Sequence, residues 1–208
     1  MGIRSKLFAL TYDRQLAKVE KAGLGQLRQE LIRRASGRVL EIGAGTGANL
    51  PLYSAAVESI TLTEPEQPMI RRLERRVREH APAATVLRAP AEDLPFEDDS
   101  FDTAVFTLVL CTVPDPAAAL AEAARVLKPS GKLLFVEHVR AEDPGLARWQ
   151  DRLEKPWRFL ADGCHCNRDT VAAIEASGFA ISEVEKGTLP KSPPLVRPLV
   201  HGSAVRAG

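Results

Sequence analysis

The chain has 208 residues, a length that suits one domain with an ordinary hydrophobic core. Its 28 lysines and arginines nearly balance 27 aspartates and glutamates, which argues against a surface for nucleic acid or for anionic membranes. Three cysteines, an odd number, and no stretch typical of a secretory signal or of a membrane anchor favour free thiols in a reducing compartment. We therefore expect a cytoplasmic protein.

A helical pattern covers the first part of the chain, from Leu7 to Arg34. Gly23 and Gly25 interrupt the pattern, which predicts two helices. We assign residues 1–34 to an N-terminal helical segment that either packs against the sheet edge or covers bound ligands as a lid. Residues 35–208 form the main domain.

An apolar strand pattern at 38–42 leads into a glycine-rich turn. Gly43, Gly45 and Gly47 let the backbone turn sharply and approach a ligand, and a helical pattern opens at residues 48–50. This strand–turn–helix corner predicts a site for a nucleotide-like ligand. The run from Gly43 also satisfies G-x-G-x-x-A, so the turn alone leaves a nicotinamide dinucleotide open.

The acid before the glycines bears on the choice of ligand. Glu41 stands two residues before Gly43, where we expect its carboxylate to face the bound molecule. A carboxylate would repel a pyrophosphate and attract a cation. The sequence therefore favours a positively charged occupant.

A second acid follows the next predicted strand, Ser59–Thr63. Glu64 precedes Pro65 and lies twenty-one residues beyond Gly43, a distance at which an acid can accept both ribose hydroxyls in either kind of nucleotide site. A helix is predicted at 68–80, with Met69 on its apolar face and an arginine run that we interpret as solvent-exposed.

Two further strands are predicted at 85–88 and 103–110, and the segment APAEDLPF lies between them. The second of these strands is apolar enough to be buried on both faces. Residues 107–113 carry it to the carboxyl edge of the sheet, where open α/β folds bind ligands.

Predicted helices and strands continue to alternate in the second half of the chain. It predicts a helix after Pro114-Asp115-Pro116, a turn at 128–131, a strand at Lys132–Val139, a helical insertion around 140–166, a helix capped by Asn167 and ended by Gly178, and closing strands at Phe179–Val184 and Leu195–Val205. Glu137 and His138 lie at a strand end beside the expected substrate space. Trp149, Trp157 and Phe159 either line an apolar pocket or pack the insertion.

Three motifs resemble those of class I S-adenosylmethionine (SAM) methyltransferases, the methyltransferase type 11 family. They are Glu-x-Gly-x-Gly-x-Gly at 41–47, Ala-Glu-x-Leu-Pro-Phe at 91–96, and Leu-Lys-Pro-Ser-Gly at 127–131. The resemblance implies an α/β fold: a Rossmann-like, seven-stranded, mostly parallel sheet with helices on both faces and an antiparallel last strand. It implies SAM as cofactor and S-adenosylhomocysteine as product.

The resemblance also implies a set of cofactor contacts. They are Glu41, Gly43, Ala44, Gly45, Gly47, Asn49, Glu64, Pro65, Met69, Ala91, Glu92, Asp93, Thr107, Leu108 and Val109. Pro90 departs from the family, which often has an aspartate there for the adenine amine. Glu92, Asp93 or the backbone must then serve the adenine.

Shorter motifs are similar to those of a narrower group that includes membrane-anchored alkyl-thiol S-methyltransferases: GTGAN at 45–49, TLVLC at 107–111, VEHV at 136–139, DGC at 162–164 and LVRP at 195–198. This resemblance implies a small, largely apolar acceptor, with a thiol favoured over a lipid amine, a phenol or a quinone-like ring. The residues expected near the acceptor are Tyr12, Cys111, Trp157 and Cys164.

The chemistry of the acceptor determines whether a base is needed. A thiol, with a pKa of about 8.5, provides enough thiolate near neutral pH, whereas a phenol near 10 needs a base, and His138 is the candidate. We expect no metal at Cys164-His165-Cys166, because three adjacent residues cannot easily turn to one ion. The alternatives are a nicotinamide-dependent oxidoreductase and a SAM-binding protein without turnover.

Overall fold

The computed structural model describes residues 12–14 and 16–207. Within this part of the chain, seven strands form one sheet in the order β3-β2-β1-β4-β5-β7-β6. They are β1 (Gly37–Ile42), β2 (Val57–Thr63), β3 (Thr85–Leu87), β4 (Phe101–Thr107), β5 (Leu127–His138), β6 (Phe179–Thr188) and β7 (Pro198–Arg206). The first five strands pair in parallel, and β7 runs antiparallel to both β5 and β6. The predicted mostly parallel sheet with an antiparallel last strand is confirmed.

The glycine turn and a short 3-10 turn, Leu50–Leu52, join β1 to β2, so the helix expected from residue 48 does not form. Helices connect or flank the other strands. They are α1 (Gly25–Ile32), α2 (Gln67–His80), α3 (Pro116–Val126), α4 (Pro144–Leu160) and α5 (Thr170–Ala176). Helical residues at 12–14 and 16–19 precede a π-helical turn, Glu20–Leu24, and the predicted break occurs there because Gly23 adopts a φ of 145°. The predicted helical positions Leu7 and Leu10 lie outside the described residues.

The two faces of the sheet bury separate cores, since side chains alternate along each strand. Leu40 and Phe106 pack with α3 and α5 on one face. Val39 and Val105 pack with α1 on the other. Helices therefore cover both faces, as expected.

The exit of β4 differs from the prediction. The strand ends at Thr107 because Leu108 takes a left-handed φ of 58° and the chain turns. The buried Glu137 carboxylate holds this turn by accepting N–H bonds from Val109 at 2.7 Å, Leu110 at 2.9 Å and Cys111 at 3.3 Å.

The predicted turn before β5 is part of the strand. Phe101 pairs with Leu127, but Thr103 pairs with Lys132, so residues 128–131 bulge out of the parallel ladder. The closing strands also differ: β6 extends beyond Val184 to Thr188, and β7 begins only at Pro198.

The cap of α5 was wrongly assigned to Asn167. Asp169 is the N-cap, and its carboxylate accepts the N–H of Ala172 at 3.1 Å. Asn167 instead donates to Asp151 at 3.0 Å. Gly178 ends the helix region with a φ of 83°, as predicted.

No helix in the described ranges has both the length and the apolar character that a bilayer crossing requires. All three cysteines are free and buried.

Candidate active site

A cavity of about 420 Å³ lies at the carboxyl ends of β1, β2 and β4. Its lining consists of Tyr12, Gly43, Gly45, Glu64, Pro65, Glu66, Met69, Pro90, Ala91, Glu92, Leu108, Val109, Thr112, Val113, Pro114, Ala161 and Asp162. The cavity is therefore at the edge where open α/β sheets bind ligands.

The glycine turn forms the floor of the cavity. Gly43 has a φ of 67°, and a Cβ there would lie 2.7 Å from a methyl carbon of Val109. Gly45, with a φ of 57°, has no atom within 4 Å of the position of a Cβ, so its main chain is open to a ligand. The turn is pinned to β2 by the N–H of Ala44, which donates to the carbonyl of Thr63 at 2.9 Å.

Glu64 stands at the edge of this floor. One carboxylate oxygen accepts the N–H of Gly45 at 2.9 Å and the other accepts the N–H of Glu66 at 3.0 Å. Burial raises the pKa of Glu64, while these two backbone bonds oppose the rise. A carboxylate offers about four lone-pair positions, so Glu64 keeps the capacity to accept two hydroxyl groups.

Glu41 lies beneath the turn, outside the cavity lining. Its carboxylate accepts bonds from Tyr53 at 2.7 Å and from the amide of Asn49 at 3.0 Å. The same amide donates to Thr107 at 3.1 Å, and Arg28 donates to the amide oxygen of Asn49 at 3.0 Å. Burial raises the pKa of Glu41 to about 7, with the Tyr53 bond opposing. The expectation that Glu41 faces the ligand directly finds no support in this arrangement, since Glu41 supports the turn from below.

The segment after β3 forms one wall. Pro90, Ala91 and Glu92 line the cavity, and Asp93 lies just outside the lining. A carboxylate oxygen of Glu92 accepts the N–H of Asp115 at 3.2 Å, which ties this wall to the start of α3.

The N-terminal segment reaches the cavity through Tyr12, and burial raises the pKa of Tyr12 to about 12. Asp13 accepts the hydroxyl of Thr46 at 2.6 Å and forms ion pairs with Arg72 at 3.0 Å and Arg76 at 3.1 Å. These contacts fasten the segment to the glycine turn and to α2. Two members of the arginine run therefore make specific contacts, contrary to the prediction of a purely solvated face.

A second wall, formed by the turn after β4 and by the end of α4, is mainly apolar. Leu108, Val109, Val113, Pro114 and Ala161 contribute to it, together with the polar Thr112 and Asp162. The aromatic residues of α4 do not line it, since Trp149 and Phe159 are exposed to 56% and 66%. Neither of the two functions predicted for them, pocket wall or core, applies to these two side chains.

Three residues predicted near the reaction meet just behind this wall. Cys111, His138 and Cys164 are buried, and their ligand atoms all lie within 4.8 Å of one another. His138 Nε2 is 2.9 Å from the sulfur of Cys164, and Trp157 Nε1 donates to that sulfur at 3.2 Å. None of these four residues lines the cavity itself.

The three side chains of the cluster have pKa values that are shifted in different directions. The hydrogen bond from Cys111 lowers the pKa of Cys164 to about 4, burial opposes this, and the bond and charge of His138 add to the lowering. Burial would lower the pKa of His138, but its bond to Cys164 and the charges of Cys164 and Glu137 together outweigh burial and raise it. The hydrogen bond to Cys164 and burial both raise the pKa of Cys111.

The structure thus separates the predicted site residues into two groups. Those on the lining are Tyr12, Gly43, Gly45, Glu64, Pro65, Met69, Ala91, Glu92, Leu108 and Val109, and those outside it are Glu41, Ala44, Gly47, Asn49, Asp93, Thr107, Cys111, His138, Trp157 and Cys164. Sequence reasoning missed Glu66, Pro90, Thr112, Val113, Pro114, Ala161 and Asp162 as lining residues. Asp162 had a signal, since it begins an Asp-Gly turn in which both residues have a positive φ.

The sheet order, the glycine turn and the acid after β2 define a class I SAM-dependent methyltransferase. The sequence model of a family described as "Methyltransferase domain" matches residues 40–135. The chain belongs to this enzyme family, and SAM is its methyl donor. The lining fits the donor, because open main chain at Gly45 and a buried acceptor at Glu64 face the same space.

Individual proteins in the comparisons are similar to this chain over most of its length. Human thiol S-methyltransferase TMT1A is 32% identical over 96% of this chain and 83% of its own length. Human thiol S-methyltransferase TMT1B is 37% identical over 83% of this chain and 72% of its own. A SAM-dependent methyltransferase from Thermotoga maritima shares the fold with a TM-score of 0.71, at 23% identity and 96% coverage of both chains. Nothing in these matches supports the nicotinamide alternative.

Proposed function

We propose that this enzyme methylates the sulfur of a small, largely apolar thiol. The observation that carries the proposal is the apolar wall beyond the glycine turn, where the side chains of Leu108, Val109 and Val113 face the cavity. Two relatives that match most of this chain are named thiol S-methyltransferases, which supports the choice of sulfur.

Bound SAM supplies a methyl group already activated by the positive sulfonium. The protein's task is then to place the acceptor and to exclude water. In this proposal Glu64 and Gly45 hold the donor on one side of the cavity. The apolar wall desolvates an acceptor thiolate on the other side, which favours a reaction in which opposite charges are lost.

The lining provides little for an acceptor that needs a strong base. His138, the candidate base, lies behind the wall and bonds to Cys164 at 2.9 Å. A thiol with a pKa of about 8.5 needs no such base near neutral pH, whereas a phenol does. This arrangement favours the thiol over the phenol, and leaves a lipid amine or a quinone-like ring as lesser candidates.

The N-terminal segment acts as a lid in this proposal. Tyr12 lines the cavity, and Asp13 fastens the segment to Thr46, Arg72 and Arg76. The segment would then help to keep water from the donor and the acceptor.

The test is methyl transfer from labelled SAM to an alkanethiol, a phenol and a primary amine of matched carbon number. We expect the thiol to be methylated fastest, and the rate to rise with chain length as more apolar surface is buried. A preference for the amine or the phenol would contradict the proposal. Calorimetric binding of S-adenosylhomocysteine with no transfer to any acceptor would favour a binding protein without turnover.

A further inference from the structure

The buried Cys111–His138–Cys164 cluster is assembled from three distant segments. Cys111 lies in the turn after β4, His138 ends β5, and Cys164 lies in the turn after α4. Their ligand atoms converge within 4.8 Å of one another. The sequence argued against a metal at Cys164-His165-Cys166 because three adjacent residues cannot easily turn to one ion. That argument does not apply to Cys111, His138 and Cys164, which come from separate segments.

We propose that Cys111, His138 and Cys164 form a binding site for a thiophilic divalent metal ion, Zn²⁺, with one coordination position open. Two sulfurs and one imidazole are a donor set that zinc prefers over hard oxygen-binding cations. Three protein ligands are the number found in zinc sites that also bind water or a substrate. Two thiolates would also balance the charge of the ion, which matters because the site is buried.

The distances suit this ion after small adjustments. Zn–S and Zn–N bonds of about 2.3 and 2.0 Å in a tetrahedral site separate the ligand atoms by about 3.5–3.8 Å. His138 Nε2 and Cys164 Sγ are 2.9 Å apart, and the other pairs lie within 4.8 Å. Shifts of about 1 Å or less would therefore complete the site.

The surroundings hold the ligands in place. The main chain of Cys111 is fixed on both sides, because its N–H donates to Glu137 at 3.3 Å and its carbonyl accepts the N–H of His165 at 2.7 Å. The indole N–H of Trp157 donates to Cys164 at 3.2 Å. Hydrogen bonds of this kind to ligands are typical of metal sites and raise their affinity.

The position of the cluster indicates what an ion would do. Thr112, next to Cys111, and Asp162, two residues before Cys164, both line the cavity. An ion held by both turns would tie two parts of the acceptor wall together.

Cobalt(II) titration of the metal-free full chain, kept reduced with a phosphine, tests the site. We expect one cobalt per chain, with the near-ultraviolet thiolate charge-transfer band and the visible bands of a tetrahedral ion, and displacement of cobalt by zinc. Absence of these bands in the folded wild-type protein would overturn the proposal.

The variants provide matched controls. Cys111→Ser and Cys164→Ser should each weaken zinc binding at least about 100-fold, and Trp157→Phe about tenfold. Cys166→Ser should leave binding unchanged, because Cys166 is equally buried but its sulfur donates to the carbonyl of Gln150 at 3.7 Å. An equal loss in Cys166→Ser would contradict the assignment.

A final measurement separates this site from the proposed function. The rate of alkanethiol methylation is measured on the same preparation of the full chain. Cobalt binding needs neither SAM nor an acceptor. Its failure alongside normal thiol methylation would overturn the metal site alone.

Discussion

Replacement of Glu64 by alanine tests the donor site most directly. Glu64 is 6% exposed, and its carboxylate accepts backbone bonds from Gly45 and Glu66 at the lining of the cavity. Hydrogen bonds to a charged group contribute about 1.5–3 kcal/mol, so loss of the ribose contact should raise the dissociation constant of S-adenosylhomocysteine about 10- to 150-fold. Isothermal titration calorimetry measures this change.

Glu66→Ala is the matched control, because it removes a carboxylate from the same cavity rim but keeps the backbone N–H that bonds to Glu64. We expect less than a threefold change for this variant. Circular dichroism and thermal unfolding establish that both variants fold. A folded Glu64→Ala protein with wild-type affinity would refute the assignment of Glu64 to the donor site, and equal losses in both variants would indicate a general effect of charge.

Three further substitutions test other parts of the site. In the wild-type protein Glu41 keeps a proton in the folded state that it releases in the unfolded state, so the free energy of unfolding should fall by about 3 kcal/mol as pH rises from 4.5 to about 7. Glu41→Gln should remove this pH dependence in urea unfolding. An unchanged profile would contradict the raised pKa of the buried Glu41. Gly45→Ala should cost about 1 kcal/mol of stability, since the φ of Gly45 is 57°. It should also lower the affinity for S-adenosylhomocysteine at least tenfold, because the added methyl group enters the cavity. Wild-type affinity in calorimetry would exclude a close approach of the ligand to Gly45. Asp13→Ala should speed dissociation of S-adenosylhomocysteine about three- to tenfold in stopped-flow measurements if the N-terminal segment is a lid, and an unchanged rate would leave it a packing element.

The sequence predicts the parts of this protein that depend on local chemistry. The run from β1 into the glycine turn follows from apolar periodicity and from residues that tolerate a positive φ. The acid at Glu64 follows from its place after β2. Both properties belong to short stretches of chain, so they can be recognised without knowledge of distant partners.

The contacts that individual side chains make in the folded protein could not be predicted in this way. Glu41 was expected to face the ligand, but Asn49 and Tyr53 fold back beneath the turn and occupy its carboxylate. Asp13 pairs with arginines about sixty residues away, at positions that look like an ordinary exposed helix face. These choices depend on how separate elements pack, which the spacing of residues along the chain does not record.

The turn after β4 has two sides, and this matters for redesign. Val109, Thr112 and Val113 face the cavity, while Glu137 holds the main chain of the same turn from below. Enlarging the acceptor pocket by mutating this turn would therefore disturb its anchoring together with its shape. Pro114, which lines the cavity just before the cap of α3, is the better first position for a library aimed at bulkier acceptors.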